Sequence, residues 1–299
     1  MIDIQSKITL IQKRIKHAYA LLTRCHLCPR ECGVNRLKGE TGFCKAGFHP
    51  MVSSDNLHFG EEPPISGNQG SGTIFFTGCN LGCVFCQNYP ISHFGHGNKV
   101  NLPKLAAMML RLQKAGAHNI NLVTPTHFAP QIMGALLIAY KKGLSVPLVY
   151  NCGGYEALDM LRLWNGIVDI YMPDMKYSDS ATSQKYSSAP DYPENNQKAV
   201  KEMFRQVGDL QIDEQGVANS GLLIRHLVLP ENISGTGNIL NFITEQISKN
   251  TYISLMSQYF PAYKALSMPP LNRRITHKEY AKTKEYLTFY GLERGWIQG

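Results

Sequence analysis

Short apolar stretches that are typical of β-strands alternate with helical patterns along most of the chain. Six stretches rich in β-branched and aromatic residues predict strands at 72–77, 119–123, 146–150, 167–171, 222–229 and 252–256. Between them, helical spacing predicts helices at 104–115, 130–142 and 239–248. This alternation indicates right-handed crossovers and a parallel sheet. Because six units fall short of the eight in a closed barrel, the fold class we predict is α/β, a partial (β/α)6 TIM-type barrel.

The rest of the chain departs from this rhythm. The interval 176–221 contains a helical stretch at 194–207 and a hairpin turn at 213–216. Near the N-terminus an amphipathic helix leads into a glycine- and cysteine-rich loop, and 55–72 is predicted to be a connecting stretch. We therefore divide the chain into an N-terminal helix with a cysteine-rich metal-binding segment (1–58), the barrel (59–262) and a C-terminal helical extension (263–299).

Composition narrows the class of protein. The 299 residues are 43% hydrophobic and 17% charged, which allows one large core. The N-terminus lacks the basic start and apolar run of a signal peptide, and no apolar run is long enough to span a bilayer. We therefore expect a cytoplasmic protein without a membrane segment. The net charge of +8 is concentrated in the first 50 residues, and no stripe of basic and aromatic residues accompanies it, so a nucleic-acid partner is disfavoured.

Eight cysteines without an export signal point to metal binding or catalysis rather than to disulfides. Three of them, Cys79, Cys83 and Cys86, follow the first predicted strand, where α/β barrels place their active sites. Three thiolates can bind three irons of a cubane cluster and leave the fourth iron open to a substrate or cofactor. The alternative is a zinc loop, which needs a fourth ligand, and His93 and His96 are nearby candidates.

A second group of cysteines lies in the N-terminal segment, at Cys25, Cys28, Cys32 and Cys44. Four thiolates suit a closed site that holds structural zinc or an additional iron–sulfur cluster, and a segment without metal is the third interpretation. Cys152 stands apart from both groups. It is either a small buried hydrophobic residue or a contact of the cofactor.

The spacing Cys-x3-Cys-x2-Cys, with aromatic Phe85 before the last cysteine, resembles the signature of the radical SAM superfamily. The resemblance implies a [4Fe-4S] cluster whose open iron binds S-adenosyl-L-methionine. It also implies that the reduced cluster cleaves this cofactor to methionine and a 5′-deoxyadenosyl radical, which abstracts a hydrogen atom from the substrate. Longer motifs resemble the PflX-like proteins, which are related to pyruvate formate-lyase activating enzyme. These motifs lie at residues 28–36, 60–64, 78–81, 86–89, 121–127, 171–176, 225–230 and 256–259.

The same resemblance implies contacts with the cofactor. Asp174 and Lys176 match an Asp-x-Lys pair that lies beside the methionine part of the cofactor, with a strand-end salt bridge as the alternative. Arg225 matches a residue near the ribose or carboxylate, or else it is paired within the barrel. The family's cofactor-facing loop corresponds here to Asn151, Cys152 and Gly153.

One segment departs from the family pattern. Where activating enzymes carry a Gly-Gly-Glu motif that receives the cofactor's amino group, this chain has Thr124-Pro-Thr-His. The amino group is then expected to meet backbone carbonyls, the hydroxyls of Thr124 and Thr126, or His127. His127 is also the candidate for a substrate-facing acid or base, with a structural histidine as the alternative.

Three functions follow from these observations. The first is a radical SAM oxidoreductase, similar to pyruvate formate-lyase activating enzyme, that installs a glycyl radical on a partner protein and receives electrons from a donor such as flavodoxin or ferredoxin. The second applies the same radical to a small molecule, a peptide or RNA. The third is a non-enzymatic zinc or iron–sulfur interaction module. Only the first two need an open iron.

Overall fold

A computed structural model of the chain describes residues 2–298. The strands are β1 (Met51–His58), β2 (Ser71–Phe76), β3 (Asn98–Lys99), β4 (Ile120–Val123), β5 (Leu148–Cys152), β6 (Ile170–Pro173), β7 (Gln211–Ile212), β8 (Ala218–Leu227), β9 (Tyr252–Met256) and β10 (Gly295–Ile297). The helices are α1 (Ile4–Ala20), α2 (Pro63–Ser66), α3 (Tyr89–Ser92), α4 (Leu102–Lys114), α5 (Ala129–Lys141), α6 (Leu158–Trp164), α7 (Ser180–Ser187), α8 (Tyr192–Val207), α9 (Thr236–Gln246) and α10 (His277–Tyr290).

One sheet of ten strands organises residues 2–298. Its strand order is β10-β9-β8-β6-β5-β4-β2-β1-β3, and β7 pairs with β8. The six strands β2, β4, β5, β6, β8 and β9 lie side by side in chain order and are all parallel. All six predicted strands are therefore confirmed. The sheet ends in β3 and β10 instead of closing on itself, as expected for a partial barrel.

The predicted helices are also confirmed, with boundaries that shift by one to three residues. Helix α4 begins where the side chain of Asn101 accepts a hydrogen bond from the backbone N–H of Lys104, an N-cap interaction that satisfies one of the unpaired amides of the first turn. Pro103 fits beside it because the first turn needs no N–H from that residue. The helix buries one apolar face against the sheet and α5.

The prediction that 55–72 only connects two parts of the chain is wrong for its first residues. Strand β1 runs to His58 and pairs antiparallel with β2, while two-residue β3 pairs with its start. Its sequence, Met-Val-Ser-Ser-Asp-Asn-Leu-His, has few apolar residues because most of its side chains are half-exposed or exposed at the edge of the sheet. Residues of the predicted 1–58 segment thus belong to the same sheet as the barrel, and the domain boundaries stay a prediction.

The chain between β1 and β2 fills the amino end of the barrel. Helix α2 is held by Asn119, whose side-chain N–H donates to the Ile65 carbonyl (2.8 Å), and Ser71 donates to the Asn119 side chain (2.7 Å). Ile65 is fully buried in an apolar cluster with side chains from β5, β6, β8 and β9, such as Val149 and Met172. Apolar side chains therefore fill the barrel interior at its amino end.

Helix α1 is attached to the barrel by a buried ion pair. The Lys7 ammonium lies 2.5 Å from an Asp169 carboxylate oxygen, and both side chains are 4% exposed. Asp169 also accepts a hydrogen bond from the backbone N–H of Leu148, so the pair joins α1 to the starts of two neighbouring strands. No helix within residues 2–298 has both the length and the apolar character needed to cross a membrane.

Candidate active site

The cysteine loop, which we define as residues 78–88, follows β2 at the carboxyl edge of the parallel sheet. Gly78 begins it with φ +79°, a conformation that glycine adopts without the strain of a side chain. Cys79, Cys83 and Cys86 all line one cavity of about 160 Å³, whose other walls come from the ends of the parallel strands. The structure therefore brings the three predicted cluster ligands to one place, at the end of the barrel where α/β enzymes place their active sites.

Each of the three sulfur atoms has a polar neighbour. Ser187 donates a hydrogen bond to Cys83 Sγ (2.9 Å), the backbone N–H of Leu81 donates to Cys79 Sγ (3.4 Å), and Ser92 Oγ lies 3.1 Å from Cys86 Sγ. Burial raises the pKa of the Cys79 and Cys83 thiols. These neighbours suit thiolates that carry metal, because hydrogen bonds to the sulfurs of an iron–sulfur cluster tune its potential.

A cluster and a single metal ion make different demands on these side chains. Among residues 2–298, no group of three or more His, Cys, Asp or Glu side chains is already arranged to hold one metal ion. In a cubane each thiolate binds a different iron, so the sulfurs must border a space instead of meeting at a point. Three thiols around a shared cavity, in a loop with donors to sulfur, fit that demand.

A charged group lies opposite the cysteines, across the same cavity. Asp174 follows β6 and accepts hydrogen bonds from Lys176 Nζ (2.5 Å) and Arg225 Nε (2.9 Å), one on each carboxylate oxygen. Arg225 also donates to the side-chain oxygen of Asn151 at the end of β5 (2.8 Å). Among the described residues, Asp174 is the one hydrogen-bond partner of Lys176 Nζ, so this ammonium keeps further donors for a ligand in the cavity.

Sequence reasoning missed two acids of this group, Glu61 and Glu62. Arg225 Nη1 lies 3.5 Å from Glu61 Oε2, and Arg225 Nε lies 4.0 Å from Glu62 Oε1. Both acids are almost fully buried on the segment that enters the barrel between β1 and β2. Burial raises the pKa of Glu61 to about 7, although the nearby Arg225 charge lowers it. Asp174, Asn151 and the two glutamates thus fix the Arg225 guanidinium in the wall of the cavity.

The contacts among Asp174, Lys176 and Arg225 determine the charge state of these side chains. Burial raises the pKa of Asp174, but the charges of Arg225 and Lys176 outweigh it, so the pKa lies below its usual range. Burial lowers the pKa of Lys176, and the neighbouring Asp174 carboxylate more than offsets this, giving a pKa of about 12. At neutral pH the cavity therefore presents a fixed carboxylate between two cations.

Helix α8 holds the strand-end loops in position, a role that the irregular interval 176–221 did not reveal. The Tyr192 hydroxyl lies 2.9 Å from the Gly153 carbonyl and accepts a hydrogen bond from the Lys176 backbone N–H (3.0 Å). Asn196 donates to the carbonyls of Gly154 (3.0 Å) and Asp174 (2.9 Å). Gly154 has φ +74°, and a Cβ there would overlap the Asp174 carbonyl, so only glycine fits.

The structure brings most of the predicted cofactor contacts together but not all. Thr124, Asn151, Cys152, Gly153, Asp174, Lys176 and Arg225 all line the cavity. Thr124 does so with φ +57°, which is strained for a β-branched residue, and its N–H donates to the Asn151 carbonyl (2.8 Å). Thr126 is fully buried instead and donates to Glu156 (2.7 Å). Burial raises the pKa of Glu156 to about 7, against the hydrogen bonds from Thr126 and Tyr150.

His127 is not among the residues that line this cavity. It lies in the 3-10 turn Thr126–Phe128, is 1% exposed, and its Nε2 donates to the Thr77 carbonyl (2.7 Å). Burial lowers its pKa to about 4, although the hydrogen bond to Thr77 raises it, so the ring is neutral at pH 7. Instead of the larger cavity, His127 lines the small cavity of the N-terminal cysteines, and its Nδ1 has no hydrogen-bond partner among the described residues.

The second cysteine group surrounds its own small cavity. Cys25, Cys28, Cys32 and Cys44 line a space of about 10 Å³ together with Arg36 and His127. Arg36 is fully buried and donates to the carbonyls of Gly47 (2.6 Å) and His127 (2.5 Å), which attaches the segment to the barrel. The two cysteine groups adjoin, since a Cβ on Gly78 would lie 2.5 Å from the Cys44 carbonyl oxygen.

A neighbouring cavity of about 220 Å³ extends the site along the strand ends. The residues that it shares with the first are Cys83, Cys86, Asn88, Asp174, Lys176 and Arg225, and those that it adds are Phe85, Gln87, Leu227, Met256 and Gln258. The site therefore runs from the cysteine loop across the carboxyl ends of β5, β6, β8 and β9. The cavity lined by the three cysteines thus continues into further space along the strand ends.

Comparison with solved structures identifies the fold. The chain superposes on a radical SAM methyltransferase from Sphaerobacter thermophilus with a TM-score of 0.53 and 14% identity, covering 76% of this chain and 66% of that one. It superposes on Streptococcus suis SuiB bound to the precursor peptide SuiA with a TM-score of 0.50 and 10% identity, covering 74% of this chain and 46% of that one. The chain thus spans less than two thirds of either protein, and the fold is the one these radical SAM proteins share.

Comparison of sequences identifies relatives. No protein-family model matches the chain. The uncharacterized protein MJ0808 of Methanocaldococcus jannaschii is 22% identical over 273 residues, with 83% of this chain and 73% of that protein covered. The uncharacterized protein MJ0674 of the same organism is 31% identical over 297 residues, with 96% of this chain and 81% of that protein covered. At that identity and coverage, the chain belongs to the family of the uncharacterized protein MJ0674.

Proposed function

We propose that this chain is a radical SAM enzyme, in which Cys79, Cys83 and Cys86 hold a [4Fe-4S] cluster and the adjoining strand ends bind S-adenosylmethionine. When bound, cluster and cofactor supply the electron transfer and bond cleavage that yield a 5′-deoxyadenosyl radical for hydrogen abstraction. One observation carries the proposal. Three thiols and an Asp174–Lys176 pair border the same cavity at the carboxyl edge of the sheet, in a radical SAM fold.

The chain's own residues bind and orient the cofactor in this proposal. The Lys176 ammonium, which keeps donors free, attracts the cofactor carboxylate. Asp174 fixes Lys176 and Arg225 in place, and Asn151 holds the guanidinium from the other side. Gly153 lets the backbone approach the ligand closely. Because these groups are already hydrogen-bonded to each other, binding requires little reorganisation.

Thr124 offers a replacement for the missing Gly-Gly-Glu motif. Its strained backbone lies at the end of β4 on the cavity wall, where its hydroxyl or carbonyl can accept a hydrogen bond from the cofactor's amino group. Thr126 and His127 are buried and do not line this cavity. We therefore assign the amino-group contact to Thr124.

The decisive experiment is anaerobic purification and reconstitution, followed by iron and sulfide analysis and an assay for 5′-deoxyadenosine after reduction with dithionite in the presence of S-adenosylmethionine. We expect about four irons per site at the cysteine loop and cofactor cleavage that is lost in Cys79→Ala, Cys83→Ala and Cys86→Ala. Zinc in place of iron, or cleavage that persists without these cysteines, would refute the proposal and favour the non-enzymatic module.

For the substrate we propose a protein or peptide. The site continues past the cysteine loop into a cavity of about 220 Å³ lined by Gln87 and Gln258, which can admit a substrate side chain beside the cofactor. SuiB, whose fold this chain shares, is bound to a precursor peptide in its solved structure. A glycyl-radical enzyme is the leading candidate, and electron spin resonance of such a partner after incubation with the reduced enzyme tests it. A glycyl signal supports the activase, and cofactor cleavage without one points to another substrate.

For the N-terminal group we propose a second metal, either zinc or an iron–sulfur cluster, bound by Cys25, Cys28, Cys32 and Cys44. Its support is that all four line one small cavity, closed on one side by buried Arg36. Metal analysis of Cys28→Ala distinguishes the two metals. If this site is structural and the variant folds, uncoupled cofactor cleavage stays largely intact. We place the protein in the cytoplasm, where such thiols stay reduced.

A further inference from the structure

An aromatic patch lies on the surface beside the cysteine loop. We call it the aromatic–basic face, and it consists of Lys45, Tyr89, His93, Phe94, Tyr263 and Lys264. Phe94 is 57% exposed, and Leu266, which follows the face in sequence, is 67% exposed. The cavity bordered by the three cysteines does not include the residues of the face. These residues therefore form a surface that takes no part in the proposed binding of the cofactor.

A continuous set of contacts joins this face to the cysteine loop. His93 Nε2 donates to the Cys83 carbonyl (3.1 Å), and the His93 ring stacks on Tyr263 with centroids 4.6 Å apart. Tyr263 also stacks on Tyr89 at 5.4 Å, and Phe94 meets both tyrosines edge-on at 5.6 and 6.0 Å. Packed aromatic rings thus extend from a predicted cluster ligand to the solvent.

Tyr263 has an unfavourable backbone conformation. Its φ of +52° is rare for a bulky residue, and such strain persists only where neighbouring structure enforces it. The enforcing contact is close by, because the backbone N–H of Ala265 donates to the Val84 carbonyl inside the cysteine loop (3.0 Å). The segment that carries Tyr263 is therefore fixed to the cysteine loop itself.

The charge of this face is positive. The Lys45 ammonium donates to the His93 carbonyl (3.1 Å), and the Lys264 ammonium lies 5.5 Å from the centroid of the Tyr263 ring. Residues 63–155 and 246–278 contain no Asp or Glu, and every member of the face except Lys45 lies in these two stretches. In the stretch 32–45, the single acid Glu40 accepts a hydrogen bond from the Asn35 backbone.

We propose that the aromatic–basic face docks the protein that reduces the cluster, a small one-electron carrier with acidic side chains around its redox group. The inference rests on the proposed function. In the step concerned, the carrier loses one electron and the iron–sulfur cluster gains it, while no bond forms or breaks. A positive surface favours encounter with an acidic carrier, and the exposed ring of Phe94 gives the short apolar contact that transient redox complexes use.

Nucleic acid fits the same surface less well. Binding to a phosphate backbone usually recruits many cations, whereas the cations that contact these residues in the described structure are Lys45 and Lys264. The rings also stack on each other, so their faces are already partly covered and offer little platform for bases. RNA binding is nevertheless one of the outcomes that the experiment must separate.

The test uses reconstituted full-length protein and a recombinant acidic flavodoxin. Cofactor cleavage is driven either by the reduced flavodoxin or by dithionite, in the wild type, in Lys45→Glu/Lys264→Glu and in Phe94→Ala. The matched control is Lys141→Glu/Lys142→Glu, which reverses two exposed lysines at the opposite end of the barrel. Flavodoxin affinity is measured separately by titration calorimetry at low and high salt, which gives a readout independent of turnover.

We expect the double reversal on the face to weaken flavodoxin binding and flavodoxin-driven cleavage about tenfold at low salt, and the difference to shrink as salt rises. Phe94→Ala should weaken flavodoxin binding and flavodoxin-driven cleavage less than the double reversal does, and its effect should not change with salt. Dithionite-driven cleavage and iron content should match the wild type in all variants, and the control should behave as the wild type throughout.

Two results would overturn the inference. One is equal loss of binding in the face and control variants. The other is unchanged flavodoxin affinity in the face variant, and a gel-shift assay with an RNA oligonucleotide then shows whether the face binds RNA instead. Failure of the proposed function has a different signature, because the wild type would then give no 5′-deoxyadenosine even with dithionite. The two hypotheses are therefore tested separately.

Discussion

Gly78 is the residue at which the two cysteine groups touch. Its φ is +79°, and a Cβ added there would lie only 2.5 Å from the Cys44 carbonyl oxygen, so both features require glycine. We expect Gly78→Ala to destabilise the protein and to lower its iron content, because the Cys44 segment and the cysteine loop must separate. Gly143→Ala is the control, since Gly143 has φ +94° with no atom within 4 Å of the added carbon.

Chemical denaturation and iron analysis compare the two variants. Gly143→Ala carries the backbone cost alone, about 1 kcal/mol, and should keep its iron. Gly78→Ala should lose more stability than this and also lose iron. Equal effects in both variants would mean that the contact with Cys44 has no influence on the loop.

His226 makes stability depend on pH. It is fully buried between the Met175 carbonyl and the Thr236 hydroxyl, and burial lowers its pKa to about 4, although the bond to Met175 raises it. The unfolded chain therefore binds more protons than the folded chain between about pH 6.5 and 4, so stability present above pH 6.5 is lost as pH falls. From about pH 7.5 to pH 5 the loss due to this residue is about 2 kcal/mol.

Urea unfolding of the wild type and His226→Gln at these two pH values measures that loss. The wild type should lose about 2 kcal/mol more than the variant over this interval, because only the wild type protonates this ring on unfolding. The same loss in both proteins would assign the pH dependence to other groups, such as His127.

At the scale of single residues, the sequence predicted contacts between site residues that are close together in the chain, but not contacts between residues that are far apart in it. Cys79, Cys83 and Cys86 are close in sequence, so their meeting in one cavity could be predicted from the loop alone. Glu61 and Glu62 reach Arg225 from a distant part of the chain, and a pair of acids between strands is normally exposed. Their burial depends on the segment that enters the barrel, and the family motif at residues 60–64 marks this segment without indicating that burial.

At the scale of elements, the ion pair between α1 and the start of β6 gives a sharp prediction. Lys7→Met leaves Asp169 buried without its cation, and such losses cost about 3–5 kcal/mol. The double variant Lys7→Met/Asp169→Asn should recover much of this, because asparagine still accepts the hydrogen bond from the Leu148 backbone. Denaturant midpoints of the two single variants and the double variant form the cycle. An additive cycle would show that the two side chains do not interact.

The burial of each strand explains whether the sequence pattern predicted it. Strands β4, β5 and β6 are buried on both faces and therefore appear as apolar runs, typical of a parallel sheet. Strand β1 is an antiparallel strand near an edge with polar side chains, so it was missed. Helix α8 was recognised, but its first residues Tyr192 and Asn196 act through hydrogen bonds to other elements, which periodicity does not report.

At the scale of the whole molecule, the last described strand protects the sheet. Strand β10 pairs parallel with β9, and Trp296 packs against the apolar cluster that contains Ile65. A chain that ends at Glu293 would leave the edge of β9 unpaired, and an exposed apolar edge promotes association. We expect lower stability and concentration-dependent oligomers in size-exclusion chromatography. Phe289→Ala, at a residue 79% exposed, should remain unchanged. A stable monomer after truncation would contradict this role.

The apolar layer that fills the amino end of the barrel determines how molecules reach and leave the site. Since Ile65 and its neighbours fill the amino end, the cavities of the site lie at the carboxyl end, above that layer. A molecule seated against the strand ends must then arrive before the one that covers it, and it must leave after that molecule has departed. Turnover should therefore follow a compulsory order, in which a covering substrate delays the release of the smaller molecule beneath it.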